Sequence, residues 1–309
     1  MLQTILGSGG SIGTPLAREL KKFSDHIRLV SRNPQKVNET DQLFPMDLKD
    51  FSRIDEAIDG SDVVYVTVGF EYNIKIWRSV WPAFMNQVVV SCERHNARLV
   101  FFDNIYIYAR SAVPHMIEDS PLQPPSEKGK IRLKLHEMIM NKVEKNKLSA
   151  IITRSADFYG PGNKNSPLIL MVADNLVKGK KAQAFGNINK IHTFTYTPDA
   201  AKATAILGNT PDAFNKVWHV PTTRQKLTTL NWIEMVAREV KKEPEVQVVP
   251  AWLIRILGIF MPVMREFPEM LYQYEEDYVL DSTRFERQFG FGATSPEEGV
   301  SKMMESYRR

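Results

Sequence analysis

A glycine-rich turn near the start of the chain, Gly7–Gly13 with the sequence GSGGSIG, constrains the fold more than any other feature. The apolar run Leu2–Leu6 before it predicts a buried strand. The residues Thr14–Leu20 after it predict a helix, which tolerates Pro15 in its first turn. The turn is therefore the first strand-to-helix connection of an α/β fold.

The three evenly spaced glycines of this turn suit a dinucleotide pyrophosphate. Gly7 permits a tight turn, Gly10 lets the backbone approach the phosphates, and Gly13 lets the helix lie close to the strand. The helix N-terminus attracts the anion. An ordinary turn is the alternative, but the flanking strand and helix favour the functional interpretation. The cofactor-binding residues predicted here are Gly7, Gly9, Gly10, Ser11, Ile12 and Gly13.

The second predicted strand, within 27–34, ends in Ser31 and Arg32. Folds specific for NAD carry an acidic residue at this place, which binds the ribose hydroxyls and would repel a 2′-phosphate. A guanidinium instead pairs with a 2′-phosphate and can stack on adenine. We therefore expect NADP(H) in preference to NAD(H), with a solvated surface arginine as the alternative for Arg32.

Further strands follow at regular intervals. The segment 44–48 ends a third strand, 62–68 forms a fourth, and a helix over 51–59 separates them. A long helix over 74–95 follows, and its Trp77 and Trp81 are predicted to pack in the core. Strands that alternate with helices predict an α/β fold of Rossmann type, a doubly wound parallel sheet. Cofactor-binding candidates at the end of the fourth strand are Val66, Thr67 and Val68.

The composition limits which partners and which cellular compartment fit the chain. A net charge of +4 is too small to indicate nucleic acid, and Cys92 is the only cysteine, which excludes a disulfide framework and fits a reducing cytoplasm. Met1 leads directly into the first strand, so we expect no signal peptide. The apolar stretch 248–264 is interrupted by two prolines and an arginine. It predicts a packed or substrate-facing helix, not a membrane span, with binding at a membrane surface left open.

The glycine spacing and three later segments resemble one family. The segments are 155–162 (SADFYGPG), 195–201 (TYTPDAA) and the closing 281–291. Together they resemble the extended short-chain dehydrogenase/reductases, the NAD-dependent epimerase/dehydratase group, over essentially the whole chain. The resemblance implies a cofactor domain formed by residues 1–160 together with residues 190–221. It also implies a smaller C-terminal substrate-binding region formed by residues 161–189 and 222–309.

The resemblance also implies roles for single residues. Asp47 and Leu48 would hold the adenine amino group. The segment 155–162 would pass under the nicotinamide, which makes Ser155, Ala156 and Phe158 cofactor-binding candidates. Asp199 would cap the helix that runs to Leu207.

The catalytic signature of short-chain dehydrogenases, Tyr-x-x-x-Lys, is missing, because none of the ten tyrosines has a lysine four residues later. In one register Lys130 and Lys134 take the two positions; in the other Gly129 and Leu133 do. The usual serine falls at Asn104, or at Asp103 if the register slips by one. This pattern resembles the atypical members of the family.

The candidates for catalysis are therefore four. Asn104 could donate a hydrogen bond to a substrate carbonyl, and Lys134 could hold the ribose. Tyr106 and Tyr108 are the nearest phenols for proton transfer, with packing beneath a proline-rich loop as the alternative for both. A solvated helix face is favoured for Lys130.

Two further features complete the predictions from the sequence. His136 is interpreted as a surface residue, and the sequence names no partner for His192. No cluster of His, Cys or acidic residues has metal-ligand spacing, so we predict no metal.

Two functions fit these features. The first is an NADP(H)-dependent oxidoreductase or epimerase/dehydratase-like enzyme that acts on a carbonyl or hydroxyl of a small molecule, with nucleotide sugars among the candidates. The second is a catalytically silent NADP(H)-binding sensor or regulatory protein. The missing motif favours the second, whereas the full C-terminal region favours the first. The resemblance also implies a homodimer through the helices over 74–95 and 127–145.

Overall fold

The computed structural model describes residues 1–260 and 262–308, in which strands and helices alternate over much of the chain. The strands are β1 (Leu2–Leu6), β2 (His26–Ser31), β3 (Gln42–Pro45), β4 (Val63–Val66), β5 (Arg98–Asn104), β6 (Ala150–Ser155), β7 (Asp157–Tyr159), β8 (Ala182–Phe185), β9 (Phe194–Tyr196), β10 (Lys216–His219) and β11 (Val246–Val249). The helices are α1 (Gly13–Leu20), α2 (Ile54–Ile58), α3 (Ile74–His95), α4 (Glu127–Glu144), α5 (Asp174–Val177), α6 (Thr197–Gly208), α7 (Thr229–Glu239), α8 (Ala251–Phe260), α9 (Tyr272–Glu275), α10 (Thr283–Phe289) and α11 (Pro296–Tyr307).

A seven-stranded parallel sheet, in the order β10-β6-β5-β4-β1-β2-β3, confirms the predicted Rossmann-type fold. β1 pairs in parallel with β2 and β4, so that Ile5 faces Leu29 on one side and Tyr65 on the other. All three side chains are fully buried, as a parallel sheet with both faces covered requires. The strand order reverses at β1, and in such sheets ligands bind at this point, beyond the carboxyl ends of the strands.

The chain divides into two compact units, the first of which comprises 1–107, 128–154 and 200–220. Its helix α3 has the predicted bounds, and its N-cap is Asn73, whose side chain accepts a hydrogen bond from the Lys75 amide at 2.9 Å. Trp77 and Trp81 are buried in the core of this unit, as predicted. A core of this kind fixes α3 against the sheet through apolar burial.

The second unit comprises 108–127, 155–199 and 221–309. It contains two small parallel sheets, β7 with β9 and β8 with β11, and a core around the fully buried Trp232. Its extent differs from the predicted substrate-binding region, since 108–127, 155–160 and 190–199 cluster with this unit. The pairing of β7 with β9 explains why residues 155–160 and 190–199 lie in the same unit.

The helix that Asp199 is predicted to cap starts earlier than predicted. α6 begins at Thr197, two residues earlier, so Asp199 lies within its first turn. The Asp199 carboxylate accepts hydrogen bonds from the Thr294 amide at 2.6 Å and the Thr294 hydroxyl at 3.0 Å. Asp199 therefore holds the loop before α11 within the second unit.

The apolar stretch 248–264 contains the end of β11 and the ten-residue α8. Trp252 and Phe260 on this helix are 62% and 78% exposed. Within 1–260 and 262–308, no helix combines the length and the apolar character needed to cross a bilayer.

Candidate functional site

The glycine-rich turn in the first unit has the geometry that its sequence predicts. Gly7 has a φ of +106°. A Cβ at Gly7 would lie 2.5 Å from the Val68 amide nitrogen, so glycine is required there. A Cβ at Gly13 would lie 2.8 Å from the Ser8 Cα and closer still to the Gly7 carbonyl oxygen. Gly13 therefore lets the start of the helix lie close to the turn itself, whereas the prediction placed this close approach at the strand.

Gly9 and Gly10 face open space. A Cβ at Gly9 would meet no atom within 4 Å, and a Cβ at Gly10 would meet only the Gly7 carbonyl oxygen, at 3.6 Å. Both glycines line a groove of about 630 Å³ in the first unit. The buried Ile12 directly precedes α1, and Ser11 precedes Ile12. The groove is lined by Gly7, Gly9, Gly10, Ser31, Arg32, Asn33, Met46, Asp47, Leu48, Lys49, Thr67, Val68, Gly69, Phe70 and Glu71.

The groove brings together most of the residues predicted to hold the base and ribose. Ser31 ends β2, and Arg32 is exposed and makes no hydrogen bond or ion pair within 1–260 and 262–308. Asp47 is exposed and accepts a hydrogen bond from the Lys49 amide at 3.0 Å. The Leu48 side chain is buried. A free guanidinium and a carboxylate therefore line one groove.

The end of β4 forms the other wall of this groove. Thr67 donates its amide hydrogen to Leu6 at 2.9 Å and its hydroxyl hydrogen to the Gly7 carbonyl at 3.2 Å. Thr67 and Val68 line the groove, whereas Val66 is fully buried within the strand. The open faces of Gly9 and Gly10, the N-terminus of α1 and the nearby Arg32 together suit a dinucleotide phosphate group.

The catalytic candidates of the first unit lie at the end of β5 and on α4. Asn104 is the last residue of β5, and its side-chain oxygen accepts a hydrogen bond from the Tyr106 amide at 3.1 Å. The half-buried Tyr106 ring stacks on Trp77 with centroids 6.4 Å apart. Lys134 lies on the exposed face of α4, and its role in holding the ribose stays a prediction. Tyr108 belongs to the second unit, where it is buried.

A cluster of buried charges lies on the same two elements and was missed by the sequence analysis. The Arg132 guanidinium is 3.4 Å from the Asp103 carboxylate and 4.0 Å from the centre of the Trp81 ring. The Lys128 ammonium, fully buried, lies 4.7 Å from the centre of the Tyr72 ring. Such cation–π contacts partly replace the lost hydration of a buried cation.

Burial and the charges of neighbouring groups both shift the pKa values of residues in this cluster. Burial lowers the pKa of Arg132, and the Asp103 carboxylate, then the phenols of Tyr106 and Tyr72, act in the opposite direction. Burial raises the pKa of Asp103, against the charges of Arg132 and Arg154. Asp103 is thus coupled to two arginines from α4 and β6.

His136 is not the surface residue that the sequence suggested. It is partly buried on α4, and its Nδ1 lies 3.2 Å from an Nη2 of the fully buried Arg154. Burial, followed by the charge of Arg154, lowers the pKa of His136 from 6.5 to about 4. The ring is therefore neutral at pH 7, and its Nδ1 accepts a hydrogen bond from Arg154.

The second unit holds the segment expected under the nicotinamide. Ser155 and Ala156 are buried, and the Ala156 amide donates to the Thr195 hydroxyl at 2.9 Å. Phe158, in β7, is half-buried. These contacts fix the backbone of the segment, and the predicted cofactor roles of its residues stay predictions.

A hydrogen-bonded group in the second unit gives His192 its partner. His192 Nε2 lies 2.9 Å from Asp157 Oδ2, which also accepts a hydrogen bond from the Tyr274 hydroxyl at 3.1 Å. The His192 ring is stacked between Tyr274 and Tyr278, with centroid distances of 4.9 and 4.5 Å. In the part of the chain that the structure describes, no three His, Cys, Asp or Glu residues are grouped to hold a metal ion.

Comparison with known proteins places the chain in a family. The model of the NAD dependent epimerase/dehydratase family matches residues 4–220. A UDP-D-apiose/UDP-D-xylose synthase of Arabidopsis thaliana is 20% identical over 98% of this chain and 89% of its own length.

Similar solved structures include UDP-glucuronic acid 4-epimerase of Bacillus cereus with UDP-glucuronic acid and NAD, at a TM-score of 0.82 and 15% identity over 100% of this chain and 99% of that one. UDP-glucose 4-epimerase of Thermus thermophilus with NAD has a TM-score of 0.79 and 16% identity, over 100% of this chain and 99% of that one. At these identities the structures show a shared fold. Because the family match covers more than half of the sequence, the chain belongs to the NAD-dependent epimerase/dehydratase family.

Proposed function

We propose that the protein is a nicotinamide-dependent oxidoreductase or epimerase/dehydratase that acts on a carbonyl or hydroxyl group of a small molecule. The observation that carries this proposal is the groove beside β1, where Gly9 and Gly10 leave open space in front of the N-terminus of α1. Pyrophosphate would bind to the amides of this turn, and the nicotinamide would accept or donate hydride.

The preferred cofactor in this proposal is NADP(H). Arg32 is exposed at the groove and has no partner within the described residues, so its guanidinium is available to a 2′-phosphate. The solved relatives named above hold NAD, which supports the opposite preference. Asp47 could bind the adenine amino group in either case.

Calorimetric titration with both cofactors tests the proposal. We expect NADP(H) to bind more tightly than NAD(H), and Arg32→Ala to remove the difference by weakening only NADP(H). Arg18→Ala, on the polar side of α1, is the matched control. Equal binding of the two cofactors, or an unchanged ratio in Arg32→Ala, would contradict the role of Arg32. Binding of neither cofactor would contradict the whole proposal.

The substrate class that the relatives support is the nucleotide sugar, because the named enzymes act on UDP-linked sugars. The missing Tyr-x-x-x-Lys motif favours the second candidate, a silent NADP(H)-binding sensor. Nucleotide sugars, aldehydes and ketones incubated with the reduced and oxidised cofactor distinguish the two. Cofactor-dependent conversion of any of them supports the enzyme, whereas tight binding without conversion supports the sensor.

A further inference from the structure

The helix α8 in the second unit has an exposed apolar face. Trp252 and Phe260 are 62% and 78% exposed. Ile256 and Ile259 are 46% and 64% exposed. These four residues, the apolar face of α8, lie at positions i, i+4, i+7 and i+8, which places them on one side of the helix. Single exposed apolar residues are common on proteins, whereas a contiguous group marks an interaction surface.

The opposite side of α8 is packed within the second unit. Ile254 is fully buried in a small core with Phe185 and Leu271. The amides of Leu253 and Ile254 donate hydrogen bonds to the Pro250 carbonyl at 3.0 and 3.2 Å, which forms the first turn of the helix. One side of α8 is therefore anchored to the protein while the apolar face stays exposed.

The carboxyl end of α8 carries a fixed cation. The exposed Arg265 donates hydrogen bonds from its guanidinium to the carbonyl oxygens of Gly258 and Ile259, the second at 2.8 Å. The last carbonyls of an α-helix lack donors within the helix, so the guanidinium replaces them. A positive charge thus lies beside the last turn, which presents Ile259 and Phe260.

The chain around α8 has an excess of positive charge. The segment 246–265 contains no Asp or Glu. The turns before β8 and β11, residues 178–181 and 241–245, together carry five lysines and two glutamates, a net charge of +3. All five lysines are exposed, and they are Lys178, Lys180, Lys181, Lys241 and Lys242.

The small sheet joins these lysines to α8. β8 and β11 pair in parallel with Ala182 beside Val246, so the two lysine-bearing turns lie next to each other. Lys181 also pairs with Glu245 across them at 3.2 Å. β11 spans roughly 13 Å, and α8 follows it after Pro250. The lysines therefore lie at one end of this short strand and the helix at the other.

A second copy of the chain fits this surface poorly. In a two-fold dimer the same surface meets itself, so the positive charge around α8 would face the same positive charge. The four side chains of the apolar face supply roughly 500 Å² even if fully covered, below the about 800 Å² that each partner of a stable interface buries. A bilayer instead accepts apolar side chains at its boundary and attracts Lys and Arg through anionic headgroups.

We propose that α8 anchors the protein to the surface of a bilayer that contains anionic phospholipid. The apolar face of α8 enters the boundary between headgroups and acyl chains, where the rings of Trp and Phe suit the environment. Arg265 and the lysines are attracted to the headgroups. With ten residues, α8 is about 15 Å long, so it lies in the plane of the surface. The inference concerns where the protein is held, and it does not depend on the proposed cofactor or reaction.

Vesicle co-sedimentation of the full-length protein tests the inference. We expect binding to vesicles of phosphatidylcholine mixed with phosphatidylserine, weaker binding to phosphatidylcholine alone, and a loss of the difference as added salt screens the charges. Trp252→Ala/Phe260→Ala should weaken binding at least about tenfold, because two aromatic side chains no longer enter the bilayer, while alanine preserves the helix.

Two variants separate the apolar and the electrostatic contributions. Phe23→Ala, at a 44% exposed aromatic residue of the first unit, is the matched control and should bind as the wild type does. Lys180→Gln/Lys242→Gln should weaken binding to the mixed vesicles about fivefold for each lysine and leave binding to phosphatidylcholine unchanged. Circular dichroism checks that every variant is folded.

Fluorescence quenching in the wild type does not depend on the folding of a variant. The chain has five tryptophans, and the other four, Trp77, Trp81, Trp218 and Trp232, are at most 4% exposed. Phosphatidylcholine brominated on the upper part of its acyl chains, mixed with phosphatidylserine, should therefore quench Trp252 alone. Trp252→Phe should remove the quenched component.

Four results would overturn the inference. These are no binding of the wild type to the mixed vesicles, unchanged binding of Trp252→Ala/Phe260→Ala, unquenched fluorescence of the vesicle-bound protein, and equal binding to neutral and anionic vesicles. A dimer that Trp252→Ala/Phe260→Ala dissociates in analytical ultracentrifugation would also overturn it, because a second copy would then cover the apolar face of α8.

Discussion

At the scale of single residues, the glycines of the first turn have separable roles. Gly7 and Gly13 are required by the fold itself, since a Cβ at either would collide with backbone atoms of the protein. Gly10 has no such constraint, because its Cβ would meet only one atom, at an ordinary contact distance of 3.6 Å. The space in front of Gly10 is therefore kept open for something other than the chain.

Gly10→Val should consequently fold and fail to bind cofactor, because the added side chain would occupy the space of the pyrophosphate. Gly13→Val should instead lose about 1–3 kcal/mol or more of unfolding free energy through overpacking. Urea unfolding and calorimetry measure the two effects separately. A folded Gly10→Val protein with the wild-type affinity would exclude the pyrophosphate from this turn.

At the scale of elements, the sequence predicts a helix or a strand well where its apolar residues follow a single periodicity. The bounds of α3 and β1 follow from the sequence because apolar spacing and an N-cap or a glycine mark them. The sequence predicts the bounds of α4 to within one residue, but it does not predict which face of the helix is buried. Lys128 and Arg132 lie in the apolar stripe of Ile131 and Leu135, and a charged residue in such a stripe is ordinarily assigned to solvent.

The pairing of His192 with Asp157 shows a different limit. The two residues are 35 positions apart, and they meet only because β7 pairs with β9. Tyr274 and Tyr278, which enclose the ring, come from a still later segment. Contacts of this kind depend on tertiary packing, which local sequence patterns do not encode.

His136 on α4 makes the first unit sensitive to acid. The unfolded chain binds a proton at this histidine below about pH 6.5, whereas the buried ring stays neutral down to about pH 4. Its contribution to stability is fully present above pH 6.5 and is lost as the pH falls to about 4. From the linkage relation this loss amounts to up to about 3 kcal/mol.

His136→Gln should therefore flatten the fall of unfolding free energy between pH 6.5 and 4, since the glutamine can still accept a hydrogen bond from Arg154 but binds no proton. Chemical denaturation at a series of pH values measures this slope. His26→Gln, at an exposed position, is the control. Equal slopes for the wild type and His136→Gln would show that His136 is not kept neutral by its surroundings.

At the scale of the whole molecule, each of the two units has a core of its own. In the first unit Gly208 packs against the ring of the fully buried Tyr65, whose hydroxyl donates to Gln3 at 2.7 Å. In the second unit Gly299 packs against Tyr159, which in turn contacts Trp232 at a centroid distance of 5.0 Å. Each glycine thus gives a local probe of one core.

Gly299→Ala should loosen the second unit and Gly208→Ala the first, each by about 1–3 kcal/mol, because a methyl group would overlap a buried ring. At Gly299 the added Cβ would lie 2.6 Å from the Tyr159 hydroxyl oxygen. Native-state hydrogen exchange measures the result amide by amide. We expect Gly299→Ala to reduce protection in α7 and α11, and Gly208→Ala to reduce it in β1 and β4. Gly292→Ala, where a Cβ meets nothing within 4 Å, should change neither. Equal loss in all four elements for either variant would show that the two cores open as one cooperative unit.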